Sequence, residues 1–300
     1  MKEIYSNISI VGGGLIGAAT AYSLSKLGNK IVVFEQKAKF NNKKILDKRT
    51  TAISEGTKKF LQDIKIWNYI ARYATPIKKI QIIDRNQSNK IYFDNQRRNS
   101  NLGYIVKNEY ILDSFYKKLQ KQKNVKIFNN VSINDILYQQ NKIITKQNSF
   151  SVNTDLLIAS DGKNSSIRKI LKTPIFSKDY KKKAIVINFY HSNNHQNTAY
   201  EFFFKNGPLA ILPMQNNKNA FQSSLVWTNT NEFINSLLSL DDNKIISILN
   251  EKIKGSVGKI NKIISKQTFP LSAHLNSKFS EKRTIYLGDS AHSFHPIAGQ

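Results

Sequence analysis

Apolar and polar positions along the chain follow two rhythms. In the first, a β-branched run, Ile8–Val11, meets glycines and then small and apolar residues at helical spacing: Ala18, Ala19, Ala21, Leu24 and Leu27. Gly28-Asn29 gives a helix stop signal, and a second apolar run, Ile31–Phe34, ends on Glu35. This predicts strand–helix–strand. Two strand-like runs follow within Ile77–Asp94, and Gly103–Leu119 reads as a strand entering an amphipathic helix with Ile111, Leu112, Phe115 and Leu119 on one face. Leu156–Ala159 is a buried strand delivering Asp161-Gly162. From Lys183 the rhythm changes to strand-like runs split by polar turns such as Asn206-Gly207-Pro208, the pattern of an antiparallel sheet. Helical patterns over Glu232–Leu240 and Asn243–Ile253 come next, and then a last strand, Ile285–Leu287.

The predicted fold class is α/β: a Rossmann-like domain interleaved with a smaller α+β domain built on an antiparallel sheet. Expected boundaries are 1–75, 102–175 and 280–300 for the first and 76–101 and 176–279 for the second.

Composition changes this picture little. The formal net charge is +26, which by itself invites an anionic partner such as nucleic acid or a membrane surface. The lysines are scattered among Asn and Ile along the whole length, the mark of compositional bias, so a nucleic-acid partner is not expected. With no cysteine, disulfides, thiolate metal sites and cysteine nucleophiles are excluded. No apolar run reaches the ~18 residues of a membrane span, and a strand pattern by Ile8 leaves no room for a signal peptide. The expectation is a soluble, cytoplasmic protein.

Gly12, Gly14 and Gly17 supply G-x-G-x-x-G spacing between a strand and a helix. In such a unit one glycine makes the tight turn, one lets backbone approach a pyrophosphate, and one allows close helix–strand packing. The helix N-terminus offers free N–H groups to the phosphates. Glu35 stands 18 residues after Gly17, where a carboxylate accepts hydrogen bonds from a ribose diol. This unit predicts dinucleotide binding without deciding between NAD and FAD.

Further along, Arg49 in DKRTTAISEGT is either a partner for phosphate or ring oxygens or an exposed arginine. Asp161-Gly162, with Ser165 and Arg168 behind it, is either an acid lining a ligand crevice at a strand end or a turn with an N-capping serine. The final stretch, TIYLGDSAHSFHPIAGQ, crowds Asp289, Ser290, His292, Ser293 and His295 together. A nucleophile elbow, G-x-S-x-G, is absent. His292 and His295 have helical metal-ligand spacing behind Asp289, but His295 precedes Pro296, which disfavours helix. Neither a hydrolase triad nor a metal site is expected.

Taken with the rest of the chain, GDSAHSFHPIAGQ resembles the GD motif of the class A flavoprotein monooxygenases, the para-hydroxybenzoate hydroxylase-like family, whose usual form is GDAAH-x-x-x-P-x-x-GQG-x-N. Asp161, Gly162, Ser165 and Arg168 resemble that family's DG-x-x-S-x-x-R fingerprint, and Arg49 its early flavin-contacting arginine. LGYIVKN, which ends on Asn108, together with GPLAILPM and HPIAGQ, resembles the ubiquinone-biosynthesis hydroxylase branch.

The resemblance implies an FAD-dependent monooxygenase that hydroxylates the ring of a polyprenylated phenol or benzoquinol. NAD(P)H and O2 are the implied co-substrates, and the chemistry would run through a flavin C4a-hydroperoxide. It implies FAD contacts from Gly12, Gly14, Gly17, Glu35, Arg49, Asn108, Asp161, Gly162, Arg168, Gly288, Asp289, Pro296 and Gly299, with the segment after Pro296 beside the flavin ring. A lipophilic substrate implies visits to the inner face of a membrane or to other ubiquinone-biosynthesis proteins. Ser290 replaces the family's common alanine. The sequence stops at Gln300, before the family's Gly-x-Asn and its helix, and a chain of that extent is expected to fold poorly, hold FAD weakly and hydroxylate nothing. Three alternatives stay open: another aromatic hydroxylase of the same fold, an NAD-dependent dehydrogenase that leaves Asp161 and Asp289 idle, and a basic membrane- or nucleic-acid-binding module without catalysis.

Overall fold

The computed structural model describes residues 2–37, 47–84, 90–95, 100–217 and 220–294. In chain order the elements open with β1 (Lys2–Val11), α1 (Leu15–Ser25), β2 (Ile31–Glu35), β3 (Thr50–Ile53), α2 (Glu55–Asp63), α3 (Trp67–Ile70), β4 (Thr75–Ile77), β5 (Lys79–Asp84), β6 (Lys90–Asp94), β7 (Gly103–Lys107) and α4 (Asn108–Leu119). They continue with β8 (Val125–Asn129), β9 (Asp135–Tyr138), β10 (Ile143–Lys146), β11 (Phe150–Ala159), α5 (Ser166–Ile170), β12 (Ile175–His191), β13 (Thr198–Phe204), β14 (Gly207–Pro213) and β15 (Phe221–Thr230). The last are α6 (Asn231–Leu238), α7 (Asp242–Lys252), β16 (Ile260–Asn276), β17 (Ser280–Glu281), β18 (Thr284–Tyr286) and β19 (His292–Ser293). Among the described residues no helix is long and apolar enough to cross a membrane.

The chain divides into two compact units, each discontinuous in sequence. Of the described residues, the first comprises those within 2–37, 111–178 and 272–294, and the second those within 47–110 and 179–271. Residues 47–75 therefore group with the second unit, not with the glycine-rich segment as expected. The reason is strand pairing: β7 takes β3 on one side and β4 on the other, making a small antiparallel sheet that no local pattern announces.

In the first unit the main sheet runs β17-β18-β11-β1-β2-β8. The pairs from β18 through β8 are all parallel. β2 is buried along its whole length, which is why its sequence reads as an unbroken apolar run. Val11, Val32, Phe34, Leu157, Ala159, Ile167 and Tyr286 share one core. The hairpin β9–β10, absent from the sequence reading, adds to the outer part of β11.

In the second unit β12, β15, β14 and β13 pair in antiparallel succession, as the alternating runs predict, while β13 pairs with β5 in parallel. Alternate residues of β12, Ile185, Ile187 and Phe189, point to one face. There they pack with Phe202, Leu209, Ile211, Leu225 and Trp227 beneath Ile234 and Leu237 of α6 and Ile245 and Leu249 of α7. Both helices start on side-chain caps: Thr230 accepts from Phe233 N–H and Asp241 from Lys244 N–H.

Two histidines are buried in this unit in fixed tautomers. His191 Nδ1–H donates to Asn193 O at 2.9 Å, so its Nε2 accepts from Ser223 Oγ at 2.9 Å. His195 Nδ1 accepts from Asn197 N–H at 3.0 Å, so Nε2–H donates to Met214 O at 3.0 Å. Burial holds both below the ordinary histidine value of 6.5. A depressed histidine contributes stability above its unfolded value and loses it as pH falls, because the unfolded chain takes up the proton first. The unfolding free energy is therefore expected to drop on moving one pH unit below that value, by up to about 1.4 kcal/mol for each ring, and the denaturant midpoint with it. Urea titration of the wild type and of His191→Asn/His195→Asn checks this; an equal acid sensitivity in both would refute it.

Candidate functional site

Four neighbouring strands of the first unit end at one edge, and each delivers a predicted site residue there. Val11 lies opposite both Ala159 and Phe34, and Ala159 lies opposite Tyr286. The residues that follow these positions are Gly12, Asp161, Glu35 and Gly288-Asp289. Backbone bonds carry the alignment one residue further, with Gly12 N–H to Phe34 O, Ser160 N–H to Val11 O and Leu287 N–H to Ala159 O, each 2.8 Å. The carboxyl edge of a parallel sheet, where α1 begins, is the place such folds hold a nucleotide.

The glycines have separable roles. Gly12 has φ +98°, and a Cβ there would run into Ser160 O; a Cβ on Gly17 would run into Gly12 O. Both are required by the fold. Gly14, the N-cap of α1, has an ordinary extended backbone at φ −65°, is exposed, and a Cβ on it meets nothing within 4 Å. That open space faces the first turn of α1, whose N–H groups have no partner inside the helix.

Glu35 is buried at 8% exposure. One carboxylate oxygen accepts from Gly13 N–H at 2.7 Å and the other from Lys37 N–H at 2.8 Å. Each oxygen keeps a lone pair for a ribose hydroxyl. Tyr116 of α4 completes this wall: its hydroxyl donates to Gly13 O at 2.9 Å, and burial, together with the Glu35 charge, pushes its ionisation up. Sequence reasoning missed Tyr116, because one more bulky position on a buried helix face carries no polar signal. Glu35→Gln, which exchanges an acceptor for a donor at one oxygen, is expected to weaken FAD by about 1–3 kcal/mol. FAD titration of the apoprotein tests it; an unchanged affinity means the acid serves only the loop.

Of the two readings the sequence left open, the turn with an N-capping serine is present, Ser165 Oγ accepting from Arg168 N–H at 3.1 Å, and Asp161 adds to it. Its Oδ2 accepts from Ser166 N–H at 2.6 Å, Ser166 Oγ at 2.9 Å and Ile167 N–H at 3.2 Å, fixing the start of α5. Its Oδ1 is buried without a partner among the described residues, a vacancy suited to a cofactor hydroxyl. Gly162 takes φ +81° in the turn. Arg168 is buried at 7% exposure. Its Nη2 donates to Lys163 O at 2.5 Å, and its Nη1 donates to Ser290 O at 3.0 Å and lies 3.3 Å from His274 Nε2. The structure thus places Arg168 behind the site, bracing the turn that holds Asp289.

That turn is a single 3-10 turn, Gly288–Ser290, with Gly288 at φ +61° against Ile16 of α1. Asp289 is exposed on it. Ser290 is fully buried, and its hydroxyl donates to Ala159 O at 2.5 Å with Leu287 O also in reach at 2.8 Å. A hydroxyl pinned to β11 in this way is no nucleophile. His292 is exposed with its ring against Phe279 and Phe294. His295, Pro296 and Gly299 lie outside the described residues.

Arg49 and Asn108 belong to the second unit. The Arg49 guanidinium forms a two-pronged pair with Asp47, Nε–Oδ1 2.8 Å and Nη2–Oδ2 2.7 Å, and lies 4.7 Å from the Phe269 ring centroid. Asn108 donates to Asp47 Oδ2 at 2.9 Å and accepts from Thr51 Oγ1 at 2.6 Å. Burial raises the Asp47 carboxyl, but the Arg49 and Asn108 hydrogen bonds and the Arg49 charge outweigh it and hold the group below the usual range. The result is an exposed arginine fork in one fixed orientation.

Comparison with known proteins agrees with this geometry. The chain matches the family described as FAD binding domain over residues 5–300. It is 25% identical to ubiquinone hydroxylase UbiL of Rhodospirillum rubrum, over 98% of this chain and 68% of that protein. It is 28% identical to the mitochondrial ubiquinone biosynthesis monooxygenase COQ6 of Drosophila melanogaster, over 98% of this chain and 70% of that one. Among solved structures, PqsL of Pseudomonas aeruginosa, a probable FAD-dependent monooxygenase, superposes with TM-score 0.81 at 15% identity, covering 99% of this chain and 82% of the other. The p-nitrophenol 4-monooxygenase PnpA of Pseudomonas putida superposes with TM-score 0.77 at 16% identity, covering 99% and 75%. A nucleotide edge built from Gly12, Glu35, Asp161 and Asp289 and a family match over nearly the whole chain lead to one conclusion: this chain belongs to the FAD binding domain family and is a homologue of the ubiquinone-biosynthesis hydroxylases.

Proposed function

We propose that the protein is an FAD-dependent monooxygenase that hydroxylates the aromatic ring of a polyprenylated phenol or benzoquinol in ubiquinone biosynthesis, with NAD(P)H and O2 as co-substrates. The observation that carries this reading is the row of Gly12–Gly14, Glu35, Asp161 and Asp289 along one sheet edge, in a chain related to ubiquinone hydroxylases. Bound FAD supplies the redox and oxygen-activating chemistry. The chain's own residues bind, orient and exclude water. In this reading Gly14 and the α1 N–H groups hold the pyrophosphate, and Glu35 accepts from the ribose diol. Asp161 Oδ1 and Asp289 hold further cofactor hydroxyls. The first unit is the FAD-binding part and the second holds the substrate. A lipophilic substrate brings the protein to a membrane surface or to a partner that carries the lipid, and the +26 charge favours an anionic membrane.

The test is to load the protein with FAD and supply NADH or NADPH, a short-tailed polyprenylphenol and isotopically labelled O2. One labelled oxygen atom in the ring product is expected. Oxidation of the reductant that yields hydrogen peroxide and no ring product with every phenol tried would sink the reading.

A further inference from the structure

The sheet built around β12–β15 ends on β6, and among the described residues no strand pairs with the outer edge of β6. On its inner side β6 pairs with β5 in unbroken antiparallel register, from Lys79 opposite Asp94 to Ile83 opposite Lys90. The outer edge therefore offers an uninterrupted row of backbone donors and acceptors. Such an edge is commonly blunted by a bulge, a proline or a charge in mid-strand. β6 has none of these. Its sequence is Lys90-Ile91-Tyr92-Phe93-Asp94, and the three central side chains are 55%, 62% and 49% exposed.

Charge stands only at the two ends of the strand, with opposite sign. Antiparallel two-fold pairing with a second copy is then self-complementary. Centred on Tyr92, it sets Lys90 of each copy opposite Asp94 of the other, Ile91 opposite Phe93, and Tyr92 opposite Tyr92. Both faces of the junction agree with this register. Ile91 and Phe93 share one face with their β5 partners Ile82 and Ile80, so the rows that cross the junction there are apolar throughout. On the other face Asp94 has Lys79 opposite it on β5 and gains Lys90 of the second copy on its outer side. Parallel pairing in register sets like charges side by side, which destabilises a sheet. A slip of two residues sets Lys90 or Asp94 opposite Tyr92. The charge pattern therefore selects one register.

We infer that β6 is a dimerisation edge: two copies of this chain join by antiparallel β6–β6 pairing centred on Tyr92, and the sheets of their second units run on as one. Five residues a side make a small contact of the weak, reversible class. The net charge of +26 repels two copies, and salt screens that repulsion beyond about 8 Å at physiological ionic strength.

Sedimentation velocity of the FAD-loaded protein at physiological ionic strength, from about 1 to 300 μM, tests the inference. The expected result is a monomer–dimer equilibrium with a dissociation constant on the order of 10 μM. Lys90→Glu and Asp94→Lys should each weaken it by about tenfold or more, because each substitution sets two like-charged pairs at the junction. An equimolar mixture of the two variants should dimerise about as well as the wild type. One variant then brings acids at both ends of β6 and the other brings lysines at both ends. Misfolding of either variant would not produce that rescue. Wild type that stays monomeric throughout this range overturns the inference. So does a dimer that both variants leave intact, because its interface lies elsewhere. A mixture that fails to recover the dimer lost by the single variants overturns it as well.

Discussion

Gly14→Val protein is expected to purify folded but free of FAD, whereas Gly17→Val protein is expected not to fold. Both residues belong to one short motif, and the structure separates them. At Gly17 an added Cβ meets the backbone oxygen of Gly12, an atom fixed between β1 and α1. Backbone cannot yield as a flexible side chain can, so the helix must leave the sheet that it packs on. At Gly14 the backbone is ordinary for any residue, and a Cβ finds open space. The cost to the apoprotein is that of a poor N-cap, about 1 kcal/mol. The open space is the approach to the α1 N-terminus, so valine there denies it to a pyrophosphate and removes about 2.7 kcal/mol or more of FAD binding, on the order of 100-fold. Flavin absorbance of the purified proteins and their circular dichroism separate the outcomes. A Gly14→Val protein with wild-type flavin content would remove the phosphate cradle from the site.

Much of this site was legible because its parts are local. A strand ending in glycines, a small-residue helix and an acid closing the next strand all sit within one stretch of sequence, and Gly12, Gly14, Gly17 and Glu35 lie where that pattern puts them. The antiparallel rhythm after Lys183 and the helices α6 and α7 were readable for the same reason. What escaped depends on partners distant in sequence. The β3–β7–β4 sheet joins segments far apart in the chain, Thr50 with Lys107 and Thr75 with Ile105, and with it Arg49 and Asn108 moved to the second unit. Helices α2 and α3 and the hairpin β9–β10 were not read at all: they are short, and α2 is mostly exposed, with Leu61 its one buried residue. Tyr116 and His274 look like core positions until the hydroxyl is found on Gly13 O and the ring on Arg168. No hydrolase was expected at Ser290, but what its hydroxyl does cannot be read from a string; it is buried against Ala159 O.

Arg168 is where sequence resemblance and geometry assign different work, and a substitution distinguishes them. The resemblance makes it a cofactor residue. In the structure its guanidinium is buried and donates to Lys163 O and Ser290 O, beside a neutral His274 whose ring burial and the Arg168 charge hold below its ordinary value. Asn276 Nδ2 donates to the same Ser290 O at 3.0 Å, so that carbonyl keeps one partner when Arg168 is lost, but Lys163 O is left without its charged donor. Hydrogen bonds to a charged group contribute about 1.5–3 kcal/mol each, and a buried acceptor left unpaired costs about 1–3 kcal/mol. Arg168→Met is therefore expected to destabilise the apoprotein by roughly 3–5 kcal/mol. Arg168→Lys should recover little of this, because a point ammonium cannot reach both carbonyls as the fork does. Arg283→Ala is a suitable control: its half-buried guanidinium donates to Asp155 O at a longer 3.3 Å, and its loss should stay within about 0.5 kcal/mol. Denaturant unfolding without FAD is the decisive measurement, because no cofactor contact contributes to it. If Arg168→Met apoprotein is as stable as wild type and only its FAD affinity falls, the guanidinium serves the cofactor directly. If the apoprotein is weakened and the surviving folded fraction still binds FAD, Arg168 acts through the turn at Gly288–Ser290, holding Asp289 at the sheet edge where α1 begins.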